Sequence, residues 1–163
     1  MTGGGDGMRQ RALEFIALCV DAEKLEQMIR NARKQGEKEV ERAAMRRLYE
    51  VKPEAQPGTL EHDVWRSIFA LEGALTAERG KTVRLSRTRQ KIKEVREAAT
   101  VAALILKKAP SDGFHMLIER KWPELTFEAL ALRHPQRFDE AVRDAAERRL
   151  GSVLNRLARL VDH

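Results

Sequence analysis

Apolar side chains recur at helical spacing along most of this chain. Leu60, Val64, Ile68, Leu71 and Leu75 stand 4, 4, 3 and 4 residues apart, with Trp65 and Phe69 widening the stripe. At about 100° per residue that period puts them on one face of a helix. The pattern returns in Leu25, Met28, Ile29 and Ala32, again in Val40, Ala44, Leu48 and Val51, and again in Val142, Ala146 and Leu150. Ala, Leu, Glu and Arg dominate the composition, which favours helices over a sandwich or barrel. With 42% hydrophobic residues the chain has material for a real core, and 163 residues make one domain or two small helical subdomains. The expected fold is all-α: an N-terminal αα-hairpin followed by a multi-helix bundle of one long and several short helices.

Punctuation residues divide this pattern. Residues 1–8, with Gly3, Gly4, Gly5 and Gly7, lack the basic and apolar regions of a signal peptide and read as a flexible tail. Residues 9–51 form the hairpin region: a first helix with Leu13, Ile16 and Val20 inward, then two helices joined at Gly36, the second capped by Asp21. Lys52-Pro53-Glu54-Ala55-Gln56-Pro57-Gly58 holds two prolines and a glycine in seven residues, so 52–58 is a linker. Residues 59–163 form a helical domain that opens with Thr59 capping the long helix, which ends at Gly80. Further starts are expected at Thr100, Ser111, Thr126 and Asp139. The last helix either pauses at Gly151 or continues through Val153, Leu157 and Leu160. The Leu150–Val161 stripe packs internally or forms a homodimer interface.

Several chemistries lack the residues they need. One cysteine, Cys19, excludes an internal disulfide framework and suits a reducing cytoplasm. It sits in an apolar run, where a thiol is buried and inert. His62, His115, His134 and His163 lie in separate segments without zinc-ligand spacing, and His62 reads as a solvated helix surface. Asp139, Glu140, Asp144 and Glu147 interleave with Arg137, Arg143, Arg148 and Arg149, as i,i+4 pairs on a wet surface do. No catalytic residue, metal or cofactor is assigned, and no segment reaches the ~20 apolar residues of a membrane span. A non-enzymatic protein is expected.

Charge is the feature that points to a partner. The chain has 31 Lys+Arg against 25 Asp+Glu, a net +6. Between residues 79 and 96 lie eight bases, Arg79, Lys81, Arg84, Arg87, Arg89, Lys91, Lys93 and Arg96, and one acid, Glu94. That segment is +7 and the rest of the chain is −1. Read as one helix over 81–96, it turns Leu85, Thr88, Ile92 and Val95 inward within about 80°. Arg84, Arg87 and Lys91 flank the stripe on one side, and Arg89, Lys93 and Arg96 on the other. Such a density of like charge calls for a polyanion or an acidic surface. Arginine and lysine hold phosphates, and Arg87, Gln90 and Ser86 are types that read base edges.

The run Thr82-Val83-Arg84-Leu85-Ser86-Arg87-Thr88-Arg89-Gln90-Lys91-Ile92 resembles part of a set of small uncharacterised bacterial helical proteins carrying an Arg-Thr-Arg-Gln-Lys basic motif. The run from Pro123 to Pro135 is similar to them as well, and the resemblance covers about residues 59–150. It implies no activity and no catalytic residue. Members tend to place a glycine just after the basic helix, where this chain has Arg96-Glu97-Ala98-Ala99. Whether the helix breaks there stays open. The expectation is therefore a cytoplasmic, nucleic-acid-binding and regulatory protein, with DNA favoured over RNA. Its contacts are Arg79, Lys81, Arg84, Arg87, Arg89, Gln90, Lys91, Lys93 and Arg96. The alternative is a helical adaptor that binds an acidic protein.

Overall fold

The computed structural model describes residues 3–161, with side chains as far as residue 156. Among them are eight α-helices, two short 3-10 turns and no strand. The chain divides into two compact units, Met1–Glu54 and Ala55–His163, so the division falls inside the proline-rich stretch 52–58.

The first unit holds α1 (Gly3–Leu18), α2 (Ala22–Gln35) and α3 (Lys38–Val51). Asp21 caps α2 by accepting from the amides of Glu23 and Lys24. Gly36 ends it in the left-handed region at φ +70°, where a side chain would be strained. The short connection sets α2 against α3. Leu25, Ile29 and Ala32 are buried on one helix, and Val40, Ala44, Leu48 and Tyr49 on the other. Burial pushes the Tyr49 phenol up to about 12, against the opposing charge of Arg33. Arg47 donates to the Cys19 carbonyl at 2.8 Å and so holds the end of α1 to α3.

Two expectations fail in this unit. Of the tail expected at 1–8, residues 3–8 are helical, and residues 1 and 2 lie outside the described residues. Local bonds support these glycine-rich turns: Arg9 lies 3.8 Å from Asp6, and Arg11 Nε donates to the Gly7 carbonyl at 3.3 Å. The stripe also ends early. Because α1 stops at Leu18, the helical phase is lost, and Cys19 is buried while Val20 stands exposed.

The second unit is built around α4 (Leu60–Arg79), with α5 (Ser86–Ile105), α6 (Asp112–Glu119), α7 (Phe127–Arg133) and α8 (Glu140–Val161). Thr59 accepts from the His62 amide, and Gly80 closes α4 at φ +68°. Leu60, Val64 and Ile68 pack with Ile92, Val101 and Ile105 of α5, Leu130 of α7 and Val142 and Ala146 of α8. Ser111, Thr126 and Asp139 accept from first-turn amides of α6, α7 and α8. Neighbours from α5, α6 and α7 meet α4, so its burial spreads beyond one stripe to His62, Ser67 and Glu72. That overturns the reading of His62 as solvated surface; it is 6% exposed.

The helix expected over 81–96 is shorter at its start and broken at its end. Residues 81–85 are non-helical, and α5 begins at Ser86. At Arg96 the backbone takes φ +74° and ψ 178°, a conformation close to glycine-only. The break shifts the helical phase of the residues beyond it. Val95, expected inward, is 39% exposed, while Glu97, Thr100, Val101 and Ile105 are buried. Thr100, expected as a helix start, lies inside the second segment and donates to the Arg96 carbonyl at 2.7 Å.

Helix α8 runs on through Gly151, with Leu150 buried and Leu154 exposed. Leu157 and Leu160, on which the dimer expectation rested, lie outside the described side chains. The i,i+4 pairing expected around α8 is replaced at two of its arginines by tertiary bonds. Arg137 reaches Glu61 at 2.6 Å and Arg149 reaches Glu128 at 3.1 Å.

Candidate nucleic-acid interface

Residues 79–96 leave the end of α4, turn at Gly80 and return as α5. Two bonds donated by backbone amides fasten the extended part to α4. Val83 N–H donates to Thr76 Oγ1 at 2.9 Å, and Leu85 N–H donates to Glu72 Oε2 at 2.8 Å. Arg89 closes a two-pronged bond with the same carboxylate, Nε to Oε2 at 2.8 Å and Nη2 to Oε1 at 2.6 Å. Its guanidinium also lies over Trp65 and Phe69, 5.2 and 5.7 Å from the ring centroids. The hydrogen bond that Arg89 donates to the Glu72 carboxylate raises the Arg89 pKa above the ordinary arginine value. This carboxylate therefore anchors both the approach to α5 and its first turn.

These contacts sort the nine expected contact residues. Arg89 turns inward and serves the fold. Gln90 donates to Glu94 Oε1 at 3.0 Å, which ties up the side chain best suited to reading a base edge. Arg96 is 79% exposed beside the break, 3.9 Å from the Glu97 carboxylate. Arg79, Lys81, Arg84, Arg87, Lys91 and Lys93 are exposed, and no ion pair or side-chain hydrogen bond holds them within the described structure.

On α5, Arg87 and Lys91 stand about 40° apart along one shoulder, and Lys93 lies on the other. The Gln90–Glu94 pair occupies the crest between them. Arg79, Arg84 and Arg87 border one groove, Lys91 follows Arg87 one turn along the shoulder, and no acid stands between Arg79 and Lys91 in the chain. Helix α5 has no acidic residue in its own first turn and no side-chain cap; the Glu72 carboxylate of α4 sits at that end instead.

A groove of about 470 Å³ lies beside that shoulder. Leu71 and Leu75 of α4, Phe114 and Leu117 of α6 and Phe127 of α7 line it, with Arg79, Arg84 and Arg87 on its edge. Elsewhere in the unit, His134 Nε2 meets Asp63 Oδ2 at 2.7 Å, and Arg66 and Arg133 each approach Asp63 at 3.6 Å. Burial lowers the Arg133 pKa. The Trp65 indole donates to the buried Glu97 at 3.3 Å. These polar ties join distant segments and hold no cluster of metal ligands among the described residues.

Sequence reasoning found the cations but missed Glu72, which holds Arg89 and fastens the segment that carries the others. One signal was available: Glu72 is the sole charge between Arg66 and Glu78, in an otherwise uncharged helical run. An acid so placed is buried only if it is paired. The groove and the Asp63–His134 pair had no comparable signal. No helix among the described residues is long and apolar enough to cross a membrane. No family model, curated protein or solved structure matches the chain.

Proposed function

We propose that this chain is a non-enzymatic nucleic-acid-binding protein, with regulatory duties, that grips double-stranded DNA in preference to RNA through its phosphates. The observation that carries this reading is the set of six exposed cations between Arg79 and Lys93 that have no ion pair or side-chain hydrogen bond among the described residues. They ride on a segment fastened by Glu72, so little ordering entropy is lost when a polyanion docks. The internal bonds of Arg89 and Gln90 remove them from the contact set. Glu94 on the crest turns the footprint toward the shoulder formed by Arg79, Lys81, Arg84, Arg87 and Lys91. Phosphate contact positions a protein without reading sequence, so weak sequence preference is expected. A cytoplasmic, bacterial setting fits this reading.

Fluorescence anisotropy with a random-sequence duplex at several salt concentrations tests it. If about five phosphates are met, log K falls against log[salt] with a slope near −4.5. Arg84→Ala/Arg87→Ala should reduce that slope by about 1.8 and leave the fold intact, since neither side chain has a partner to lose among the described residues. No binding at low salt, or binding indifferent to the double substitution, refutes the reading and makes an acidic protein the partner to seek.

A further inference from the structure

Phosphates can satisfy the arginines of the shoulder, but they cannot cover the apolar groove beside it. Leu71, Leu75, Phe114 and Leu117 line that groove, yet each is at most 4% exposed. Its apolar wall is therefore recessed. Among the described residues, none of the large hydrophobic residues that stand exposed lines it; in this unit those are Val95, Leu106 and Leu154. Of the remaining apolar lining residues, Val83, Leu85, Leu104, Met116 and Phe127 are half-buried, so the groove offers a recessed apolar floor with a partly open rim. At about 470 Å³ the groove falls within the range of small-molecule sites.

The charge at the groove's edge selects the ligand. Arg79, Arg84 and Arg87 are exposed and without a partner among the described residues. One exposed acid, Asp112 at the start of α6, opposes them, and the other acid on the wall, Glu128, is buried against Arg149. The exposed lining thus carries a net +2. Guanidinium groups hold carboxylates through paired, charge-assisted hydrogen bonds. We infer that the groove binds a small amphiphile, an apolar alkyl or aryl body with one carboxylate, whose head group lies on Arg84 and Arg87. This inference stands apart from the nucleic-acid reading, because the test contains no nucleic acid.

The test is a titration of the full-length, isotope-labelled protein with decanoate, followed by amide chemical shifts and by calorimetry. Acetate and decyltrimethylammonium serve as controls. Saturable one-to-one binding is expected, with shifts centred on residues 71–87 and 113–117. Acetate should bind at least tenfold more weakly, having no body for the groove, and decyltrimethylammonium equally so, having the wrong charge. Arg84→Ala/Arg87→Ala should weaken decanoate at least tenfold, which corresponds to about 1.4 kcal/mol. Arg84→Lys/Arg87→Lys keeps the charge but not the paired geometry, so its affinity should fall between those of the parent and the alanine variant. Non-saturating binding, equal affinity for the cationic amphiphile, or shifts centred on the exposed Met8, Phe15 and Leu18 of α1 would overturn the inference.

Discussion

Arg96 holds φ +74° and ψ 178°, a conformation that costs a residue with a side chain roughly 1–3 kcal/mol and costs glycine almost nothing. Arg96→Gly should therefore stabilise the second unit. The lost side chain contributes little, because it is 79% exposed and its contact with Glu97 is 3.9 Å long. Glycine enlarges the unfolded ensemble, which takes back about 0.4–1 kcal/mol. The net gain is about 1 kcal/mol, or a rise in Tm of about 4 °C for a unit of this size. The chain's two tryptophans, Trp65 and Trp122, both lie in the second unit, so fluorescence during urea unfolding reports on that unit alone. Arg96→Ala is the decisive control: it removes the same charge but keeps a Cβ in the strained conformation, and it should gain nothing. If the glycine variant proves no more stable than the alanine variant, the break at Arg96 is not a strained one and the argument fails.

Two further outcomes follow from the buried carboxylates. Glu72→Gln removes the charge that holds Leu85 N–H and both prongs of Arg89, which should cost about 2 kcal/mol. Amide exchange should quicken most across Leu85–Arg89, and an unchanged urea midpoint would refute the anchoring role. Glu128 is different, because burial raises its pKa even though Arg149 lies beside it. The folded state favours its protonated form, so its stabilising contribution is complete below the unfolded value of 4.5 and is lost as pH rises through the raised folded value. Glu128→Gln should therefore match the parent near pH 4.5 and equal or exceed it near pH 7 in urea melts; an advantage that shrinks with rising pH would contradict this.

Much of the architecture was legible from local chemistry. Asp21, Thr59, Ser111, Thr126 and Asp139 start helices because a short polar side chain reaches an amide two or three residues ahead. Gly36 and Gly80 end them because the left-handed turn suits a residue without a Cβ. The cationic segment was equally plain, since charge along a chain needs no fold to be counted. The break at Arg96 was hidden, because nothing in an arginine's chemistry favours a positive φ. Only the demand for burying both Ile92 and Val101 accounts for it, and that demand is tertiary.

The same division runs through the candidate site. Periodicity, capping side chains and charge along the chain settle that it makes helices, where most of them begin and end, and where its positive charge concentrates. They cannot say which of eight cations meet a partner within the fold, because Glu72 lies 17 residues from Arg89 in the chain and acts on it only after α4 and the start of α5 are packed together. They cannot foresee a groove, which belongs to four segments at once and to none of them singly. Short-range physics chose the elements; contact between distant segments decided which charges stayed free and what lay open beside them.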